Sequence, residues 1–258
     1  MAFDERLVIT EENRANIIYD EHLVRYQLAA QAAKGKNILD IACGSGYGAK
    51  ILAQAGAAKV TAIDQSLEAI TKAKQNYSAT NIEYKVGDAE NFGEADGAFD
   101  LVTSFETIEH LKNPEKYLAE IARVLKREGI FLVSTPNREI FGQKNPYHWH
   151  EFTRSEFEEI LKKYFKNILI LEQTNGIASL IKSGETGKIY FFDSGKPLYF
   201  IAACSNNDVR LPDLFKESVV SVNPTALERL RNNPVVNLSD SIYSLIVKIP
   251  GIRKFFNS

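Results

Sequence analysis

The chain has 258 residues, of which 45% are apolar, and this is enough for one sizeable hydrophobic core. A formal net charge of −2 and a pI near 6.2 exclude a broad electrostatic attraction to bulk nucleic acid. The two cysteines, Cys43 and Cys204, lack the spacing of a metal or redox site, and the charged first 16 residues are unlike a signal peptide. A cytoplasmic protein with reduced thiols is therefore predicted.

The amino-terminal residues 12–33 carry apolar side chains at helical spacing, with charged residues between them. This pattern predicts one or two amphipathic helices. Because they precede the first strand, these helices could cover a ligand site.

A short apolar strand, a glycine-rich turn and a helix follow one another over residues 37–52. The turn holds Gly44, Gly46 and Gly48, and glycine lets backbone N–H groups approach a ligand because it has no side chain. Asp40, at the end of the strand, places a carboxylate where a phosphate-binding loop would have none. The turn is therefore predicted to bind a ligand that carries positive charge.

Strands and helices alternate through the rest of the chain. Strands are predicted at 59–64, 81–86, 98–104 and 129–134, with helices at 66–77 and 113–126. This alternation predicts a doubly wound parallel sheet with right-handed crossovers, whose ligands bind at the carboxyl ends of the strands. Segments 166–173 and 197–203 predict an antiparallel pair that closes the sheet, and Thr153 is predicted to cap a helix just before it.

The segment DIACGSG, residues 40–46, resembles the first motif of class I S-adenosylmethionine-dependent methyltransferases, with Ala42 where the family commonly has its first glycine. The resemblance implies a seven-stranded, mostly parallel, Rossmann-like sheet and S-adenosyl-L-methionine as the cofactor. Asp40 would then accept the methionine amino group, Asp64 the ribose hydroxyls and Asp88 the adenine amino group. In the family an amino-terminal helical segment lies over the site, so His22, Arg25 and Tyr26 could contact the cofactor. The expected cofactor residues are Tyr26, Asp40, Ala42, Gly44, Gly46, Asp64, Gln65, Asp88, Ala89, Glu90 and Phe105.

The segment FETIEHL, residues 105–111, lies where the family places the transferred methyl group. It lacks the Asn-Pro-Pro-Tyr or Asp-Pro-Pro-Tyr signature of amino-methylating nucleic-acid enzymes, which disfavours base methylation. His110 is a catalytic candidate here, although His110 and Glu109 could equally cap or pack a helix.

The segment NPYHWHEFT, residues 145–153, holds two of the four histidines and the only tryptophan. We expect it to form a lid or wall over the methyl acceptor, with His148 or His150 as the general base. A His-x-His pair in an extended segment points both rings the same way and could bind a metal ion. No third ligand is identifiable from the sequence, so no metal site is assigned.

Three segments are similar to a bacterial branch of the family found with glycosyltransferases in surface-polysaccharide synthesis: ERLV at 5–8, the histidine segment, and YFIAACS at 199–205. The similarity implies methyl transfer to an oxygen, less favourably a nitrogen, of a small-molecule acceptor such as a sugar. One alternative is an NAD-dependent oxidoreductase that uses the glycine turn and Asp64, which Asp40 and Asp88 disfavour. The other alternative is a non-catalytic methyltransferase-like binding or assembly domain.

The expected organisation is a methyltransferase domain over residues 1–205, with a helical cover at 1–35 and an insertion at 174–196. Residues 206–258 form an extension of unknown role. No apolar run reaches the roughly 18 to 20 residues of a membrane span. The basic and aromatic carboxyl-terminal tail could make a weak contact with a membrane surface, while packing onto the domain or a subunit is favoured. The sequence does not predict the oligomeric state.

Overall fold

The structure is a computed structural model that describes residues 17–142, 145–175, 178–182, 197–207, 211–215 and 219–222. Segment ERLV, most of the predicted insertion and the carboxyl-terminal tail lie outside the described residues. In the part of the chain that is described, no helix is both long enough and apolar enough to cross a membrane.

Helices and strands alternate up to the middle of the chain, and short strands dominate its end. In chain order the elements are α1 (Ile17–Ala30), β1 (Asn37–Ile41), α2 (Tyr47–Gln54), β2 (Lys59–Asp64), α3 (Leu67–Asn76), β3 (Ile82–Val86), β4 (Phe99–Phe105), α4 (Pro114–Val124), β5 (Leu125–Pro136), α5 (Arg138–Phe141), α6 (Arg154–Lys162), β6 (Asn167–Asn175), β7 (Ala178–Lys182), β8 (Tyr199–Ser205), α7 (Leu211–Leu214) and β9 (Val219–Val222). A short 3₁₀ helix, Ile108–His110, follows β4.

The strands form one sheet in the order β3-β2-β1-β4-β5-β8-β6-β7-β9. Strands β1 to β5 pair in parallel, and β8 pairs antiparallel with both β5 and β6. These seven strands confirm the predicted doubly wound α/β sheet. Two further strands, β7 and β9, extend its antiparallel edge, so the sheet continues beyond residue 205.

Helices cover the sheet on both faces, which gives each face its own hydrophobic cluster. One cluster takes side chains from α1, α2 and α3, and the other from α4 and α6. Strand β1 serves both, because Ile38 belongs to the first cluster while Leu39 and Ile41 belong to the second. Such two-sided burial explains why the central parallel strands are nearly continuous apolar runs.

Side-chain caps fix the starts of three helices. Ser66 Oγ accepts the Ala69 N–H at 3.2 Å before α3, and Asn113 Oδ1 accepts the Lys116 N–H at 3.0 Å before α4. Thr153 and Glu156 form a reciprocal capping box before α6. The predicted helix starts at Ser66, Asn113 and Thr153 are thereby confirmed.

The cover helix α1 packs tightly onto the start of α2 at Gly48. A Cβ added at Gly48 would lie 1.9 Å from a carbon of the buried Tyr26 ring. We therefore expect Gly48→Ala to lower the free energy of unfolding by about 1 to 3 kcal/mol, because the ring must leave its packed position. Urea denaturation measures this change.

A double-mutant cycle with Tyr26→Ala identifies the cause of that loss. In the Tyr26→Ala background the methyl group added at Gly48 no longer overlaps a ring. Gly48→Ala should then lower the free energy of unfolding by less. An equal cost in both backgrounds would contradict the proposed overlap.

Candidate active site

The turn after β1 depends on left-handed backbone conformations at Ala42, Gly44 and Gly46, whose φ angles are +57°, +54° and +88°. A Cβ at Gly46 would lie 2.6 Å from the Ala73 Cβ, so glycine is required there for space as well as for conformation. Ala42 takes the same left-handed conformation while keeping its Cβ, which costs roughly 1 to 2 kcal/mol. Alanine at position 42 therefore strains the turn locally, but the turn keeps its shape.

Asp40 is fully buried beneath this turn. Its carboxylate accepts hydrogen bonds from Thr103 Oγ1 at 2.8 Å and from the Tyr26 hydroxyl at 3.1 Å. Burial raises the pKa of Asp40 to about 7, the two hydrogen bonds oppose that rise, and the Asp64 carboxylate adds to it. No basic side chain in the described ranges forms an ion pair with Asp40, so its two donors are neutral. Its surroundings therefore favour a positively charged ligand group.

Asp64 joins the end of β2 to the glycine turn. One carboxylate oxygen accepts the Gly44 N–H at 2.9 Å, and the other accepts the Ser66 N–H at 2.9 Å. An ionised carboxylate only accepts hydrogen bonds, so Asp64 suits the hydroxyl groups of a ligand. The structure thus brings Asp64 to the loop, as the sequence predicts, and the exposed Gln65 follows it.

The turn after β3 lies next to Asp64, because the Gly87 N–H donates to the Asp64 carbonyl at 3.1 Å. Asp88 is exposed, and its carboxylate accepts the Glu90 N–H at 2.8 Å, which makes a tight turn around Ala89. Glu90 also lies 3.7 Å from Lys116 Nζ. Three acids, Asp40, Asp64 and Asp88, therefore stand at the carboxyl ends of three neighbouring strands.

Tyr26 and Phe105 close the other side of the Asp40 site. Their rings meet edge to face, with centroids 5.0 Å apart, and both are buried. Tyr26 belongs to α1 and Phe105 ends β4, so the cover helix lies over the site as expected.

Open space beside Gly44 completes a cradle for a ligand. A Cβ built at Gly44 would meet no atom of the described residues within 4 Å, although the Gly44 N–H donates a hydrogen bond to Asp64. The ligand that fits has an ammonium group for the buried carboxylate of Asp40 and a ribose for the carboxylate of Asp64, and it would occupy this space. S-adenosylmethionine has both groups.

A second constellation lies directly after β4, and we call Glu109, His110 and His148 the histidine–glutamate cluster. One possible ligand atom from each residue lies within 4.8 Å of the others. The rings of His110 and His148 meet edge to face at 4.7 Å. The Glu109 carboxylate is fully buried and accepts the Thr135 hydroxyl at 3.3 Å. Burial and then the Glu106 charge raise the Glu109 pKa well above its ordinary value.

Hydrogen bonds attach the 145–152 segment to this cluster. The N–H groups of Trp149 and His150 both donate to the Glu109 carbonyl, at 2.8 and 3.3 Å. His148 Nδ1 lies 2.7 Å from the Glu151 carboxylate. The His150 ring packs against Phe152 with centroids 4.5 Å apart. Of the three predicted catalytic histidines, the structure brings His110 and His148 together and places His150 outside the cluster.

A buried arginine, which the sequence suggested only as a possible cofactor contact, ties α1 to the strands beside the cluster. Arg25 Nε donates to the Gln173 amide oxygen at 2.7 Å, and its guanidinium lies 4.3 Å over the Tyr199 ring. Its Nη1 lies 3.5 Å from the Glu106 carboxylate, which accepts the Ser134 hydroxyl at 2.7 Å.

Sequence reasoning missed Glu106 and Glu151 as site residues. Glu106 has a left-handed φ of +52°, a strain that often marks a functional position. A non-glycine residue with positive φ has no sequence signature. The signal that was available is weaker: an acid directly after an apolar strand.

These features are similar to those of one class of protein. A parallel sheet in this order, a glycine turn over a buried acid, and further acids at the next two strand ends are the arrangement of a class I S-adenosylmethionine-dependent methyltransferase. Residues 39–133 match the family model described as a methyltransferase domain. Over these residues the chain is therefore similar to methyltransferase domains, and the acids around the glycine turn suit S-adenosylmethionine as the cofactor. The predicted enzyme class and cofactor are confirmed, and the NAD-dependent interpretation is disfavoured.

Curated relatives carry the same description. A probable S-adenosylmethionine-dependent methyltransferase of Mycolicibacterium smegmatis is 33% identical over 152 residues, which are 57% of this chain and 58% of that protein. A ubiquinone biosynthesis O-methyltransferase of Xanthomonas campestris is 35% identical over 116 residues, which are 44% of this chain and 48% of that protein. The chain thus spans about half the length of the curated relatives it matches.

A solved structure shows the same fold. An S-adenosylmethionine-dependent methyltransferase of Thermotoga maritima, described as a possible histamine N-methyltransferase, superposes with a TM-score of 0.58. The match covers 76% of this chain and 94% of that one at 18% identity. At that identity the likeness concerns the fold alone.

Replacing Ala42 by glycine should relieve the strain in the turn. We expect Ala42→Gly to raise the free energy of unfolding by up to about 1 kcal/mol, because the left-handed strain relieved exceeds the entropy that glycine adds to the unfolded chain. Denaturant unfolding measures the change. The matched control is Ala58→Gly, at an exposed loop position outside the left-handed region, which should lower stability. A loss of stability in both variants would contradict the strain.

The raised pKa of Asp40 predicts how cofactor affinity depends on pH. An ammonium group binds the ionised carboxylate, and Asp40 becomes protonated as the pH falls through about 7. Calorimetric affinity for S-adenosylhomocysteine, which keeps this ammonium group, should therefore fall about tenfold from pH 8 to pH 6. Asp40→Asn should bind more weakly and lose this dependence. An affinity of the unaltered protein that is constant over this range would refute the assignment.

Proposed function

We propose that this protein transfers the methyl group of S-adenosylmethionine to a hydroxyl oxygen of a small-molecule acceptor, with nitrogen as the less favoured acceptor atom. The observation that carries the proposal is the position of the histidine–glutamate cluster. Two of its residues, Glu109 and His110, come shortly after β4, and β4 supplies both Thr103, which donates a hydrogen bond to Asp40, and Phe105, which packs on Tyr26. The cluster, where we place the acceptor, is thus close to the strand that borders the proposed cofactor site.

The chemistry requires few groups. The cofactor supplies an activated methyl group, so the protein must align the acceptor and let its proton leave. Asp40 holds the methionine ammonium, Asp64 the ribose hydroxyls, and the turn at Asp88 and Ala89 the adenine. A hydroxyl is a poor nucleophile until its proton can leave, so we place the acceptor hydroxyl at His148 and His110 rather than at His150.

Three exposed aromatic side chains, one on α5 and two in the segment that carries His148, suit a ring-shaped acceptor. Phe141, Tyr147 and Trp149 are 39%, 46% and 59% exposed, unusually high for such large apolar residues. The Tyr147 carbonyl contacts His110 Nδ1 at 3.2 Å, and the Phe141 ring lies 5.4 Å from that of Tyr199. The flat face of a sugar or a phenol could stack here.

Two acceptor classes follow from the relationships of the chain. The resemblance to the polysaccharide-associated branch favours a sugar hydroxyl, and the ubiquinone biosynthesis O-methyltransferases among the relatives favour an aromatic hydroxyl. Both are oxygen acceptors, which is why oxygen stands first in the proposal.

Domain organisation and location belong to the same proposal. We assign residues 1–205 to the methyltransferase domain and 206–258 to an extension, which supports the domain by adding β9 to its sheet. A cytoplasmic location is supported by Cys43 and Cys204, which are both free and buried.

The test is methyl transfer from labelled S-adenosylmethionine to a panel of nucleotide sugars, phenols and small amines. We expect label on a hydroxyl-bearing acceptor, and a fall in kcat of about 10²- to 10⁴-fold in His148→Ala with unchanged calorimetric affinity for S-adenosylhomocysteine. His150→Ala is the matched comparison and should show a smaller loss, because its ring lies outside the cluster. Labelling confined to amines would overturn the oxygen assignment, and binding of NAD in place of S-adenosylhomocysteine would overturn the function.

A further inference from the structure

We propose that Glu109, His110 and His148 bind a divalent first-row transition-metal ion, and that the acceptor hydroxyl binds to that ion. This inference rests on the proposed function, since it concerns the place where the acceptor oxygen is activated. The sequence suggested a metal only for His148 with His150, and the structure replaces His150 by two residues from the segment after β4.

The spacing of the three side chains suits a metal ion. Ligand atoms at about 2.0 to 2.2 Å from a common ion lie roughly 3 to 4 Å from one another. One such atom from each residue lies within 4.8 Å of the others, so small side-chain movements would bring them into coordination. The side chain of His148 is 12% exposed, while Glu109 is wholly buried, so the site has an inner wall and a side near solvent.

The hydrogen bonds around both rings select the tautomer that binds metal. His148 Nδ1 lies 2.7 Å from Glu151 Oε1, and His110 Nδ1 lies 3.2 Å from the Tyr147 carbonyl. Both partners are acceptors, so each Nδ1 carries the proton and each Nε2 carries a lone pair. The Asn145 amide nitrogen, a donor, already faces His148 Nε2 at 3.0 Å. A metal ion would take the place of that amide.

Two buried carboxylate oxygens provide an independent indication. In the described part of the chain, Glu109 Oε1 and Glu151 Oε2 are buried and have no hydrogen-bond partner. Leaving such an oxygen unpaired costs roughly 1 to 3 kcal/mol, and more when the group is charged. A metal ion would bind an oxygen of Glu109 directly. Glu151 would act through the His148 ring, as carboxylates behind metal-bound histidines commonly do.

The ligand set indicates the kind of ion. Two imidazole nitrogens and one carboxylate suit Zn²⁺, Mn²⁺, Fe²⁺ or Co²⁺, whereas Mg²⁺ and Ca²⁺ prefer sites made of oxygen ligands. Three protein ligands leave at least one position open for a hydroxyl oxygen.

An ion at this place would make the acceptor a better nucleophile. Coordination lowers the pKa of the acceptor hydroxyl, so its proton leaves to solvent water. The resulting oxygen forms the O–CH₃ bond as the S–CH₃ bond breaks, and the sulfonium of the donor becomes the thioether of S-adenosylhomocysteine. His148 then serves as a ligand rather than as the base.

The test is binding of Mn²⁺ alone to the full chain after dialysis against a chelator, followed by electron paramagnetic resonance. We expect one bound ion per chain, with affinity reduced about tenfold or more in Glu109→Gln, in His148→Ala and in Glu151→Gln. His150→Ala is the matched control, since it removes a neighbouring ring that lies outside the cluster, and it should bind Mn²⁺ like the unaltered protein. Dialysis should also abolish turnover, and Mn²⁺ should restore it.

Calorimetry with S-adenosylhomocysteine on the same samples separates the possible failures. Unchanged cofactor affinity shows that each variant is folded, so an absence of Mn²⁺ binding in the unaltered protein, or equal binding in every variant, overturns the metal site and leaves the methyltransferase intact. Turnover that survives metal removal overturns the activating role and returns His148 to the role of base. Loss of cofactor binding by the unaltered protein would instead overturn the proposed function.

Discussion

This site depends on a buried carboxylate that forms no ion pair with any basic side chain among the described residues. Asp40 lies at the end of the central strand β1, where the glycine turn, the cover helix and β4 meet. The hydroxyls of Tyr26 and Thr103 stabilise its charge, yet its pKa still rises to about 7. Burial and the nearby Asp64 raise the pKa of Asp40 by more than the two hydrogen bonds lower it. A bound cation would therefore offset the free-energy cost of keeping this carboxylate ionised in the folded chain.

Much of the fold could be predicted because its signals are local. The central strands are apolar runs, three helices have N-caps at Ser66, Asn113 and Thr153, and three acids lie at the carboxyl ends of three strands. Parallel strands bring their carboxyl ends to one edge, so the sequence alone places Asp64 beside the glycine turn. The structure agrees with this placement, because the Gly44 N–H donates a hydrogen bond to the Asp64 carboxylate at 2.9 Å.

The edge strands and the histidine–glutamate cluster could not be predicted, because they depend on contacts between residues distant in the chain. Strands β7 and β9 are short, and each is defined by its partner rather than by a pattern of its own. The expectation that His148 and His150 point the same way assumed an extended backbone, but the chain bends at Trp149. Glu109 meets His148 only because its own carbonyl holds the segment that carries that histidine.

The position of α1 has a consequence for synthesis of the protein. This first described helix supplies Tyr26 to the Asp40 site, but it lies against β7 and β9, and its Arg25 is held by Gln173 of β6. A ribosome that has completed β1 to β5 has therefore produced the glycine turn, its acids and the α2 surface at Gly48, but not Gln173, β7 and β9, against which α1 also packs. The nascent chain must wait for nearly the last described strand before its first described helix has all of its packing partners.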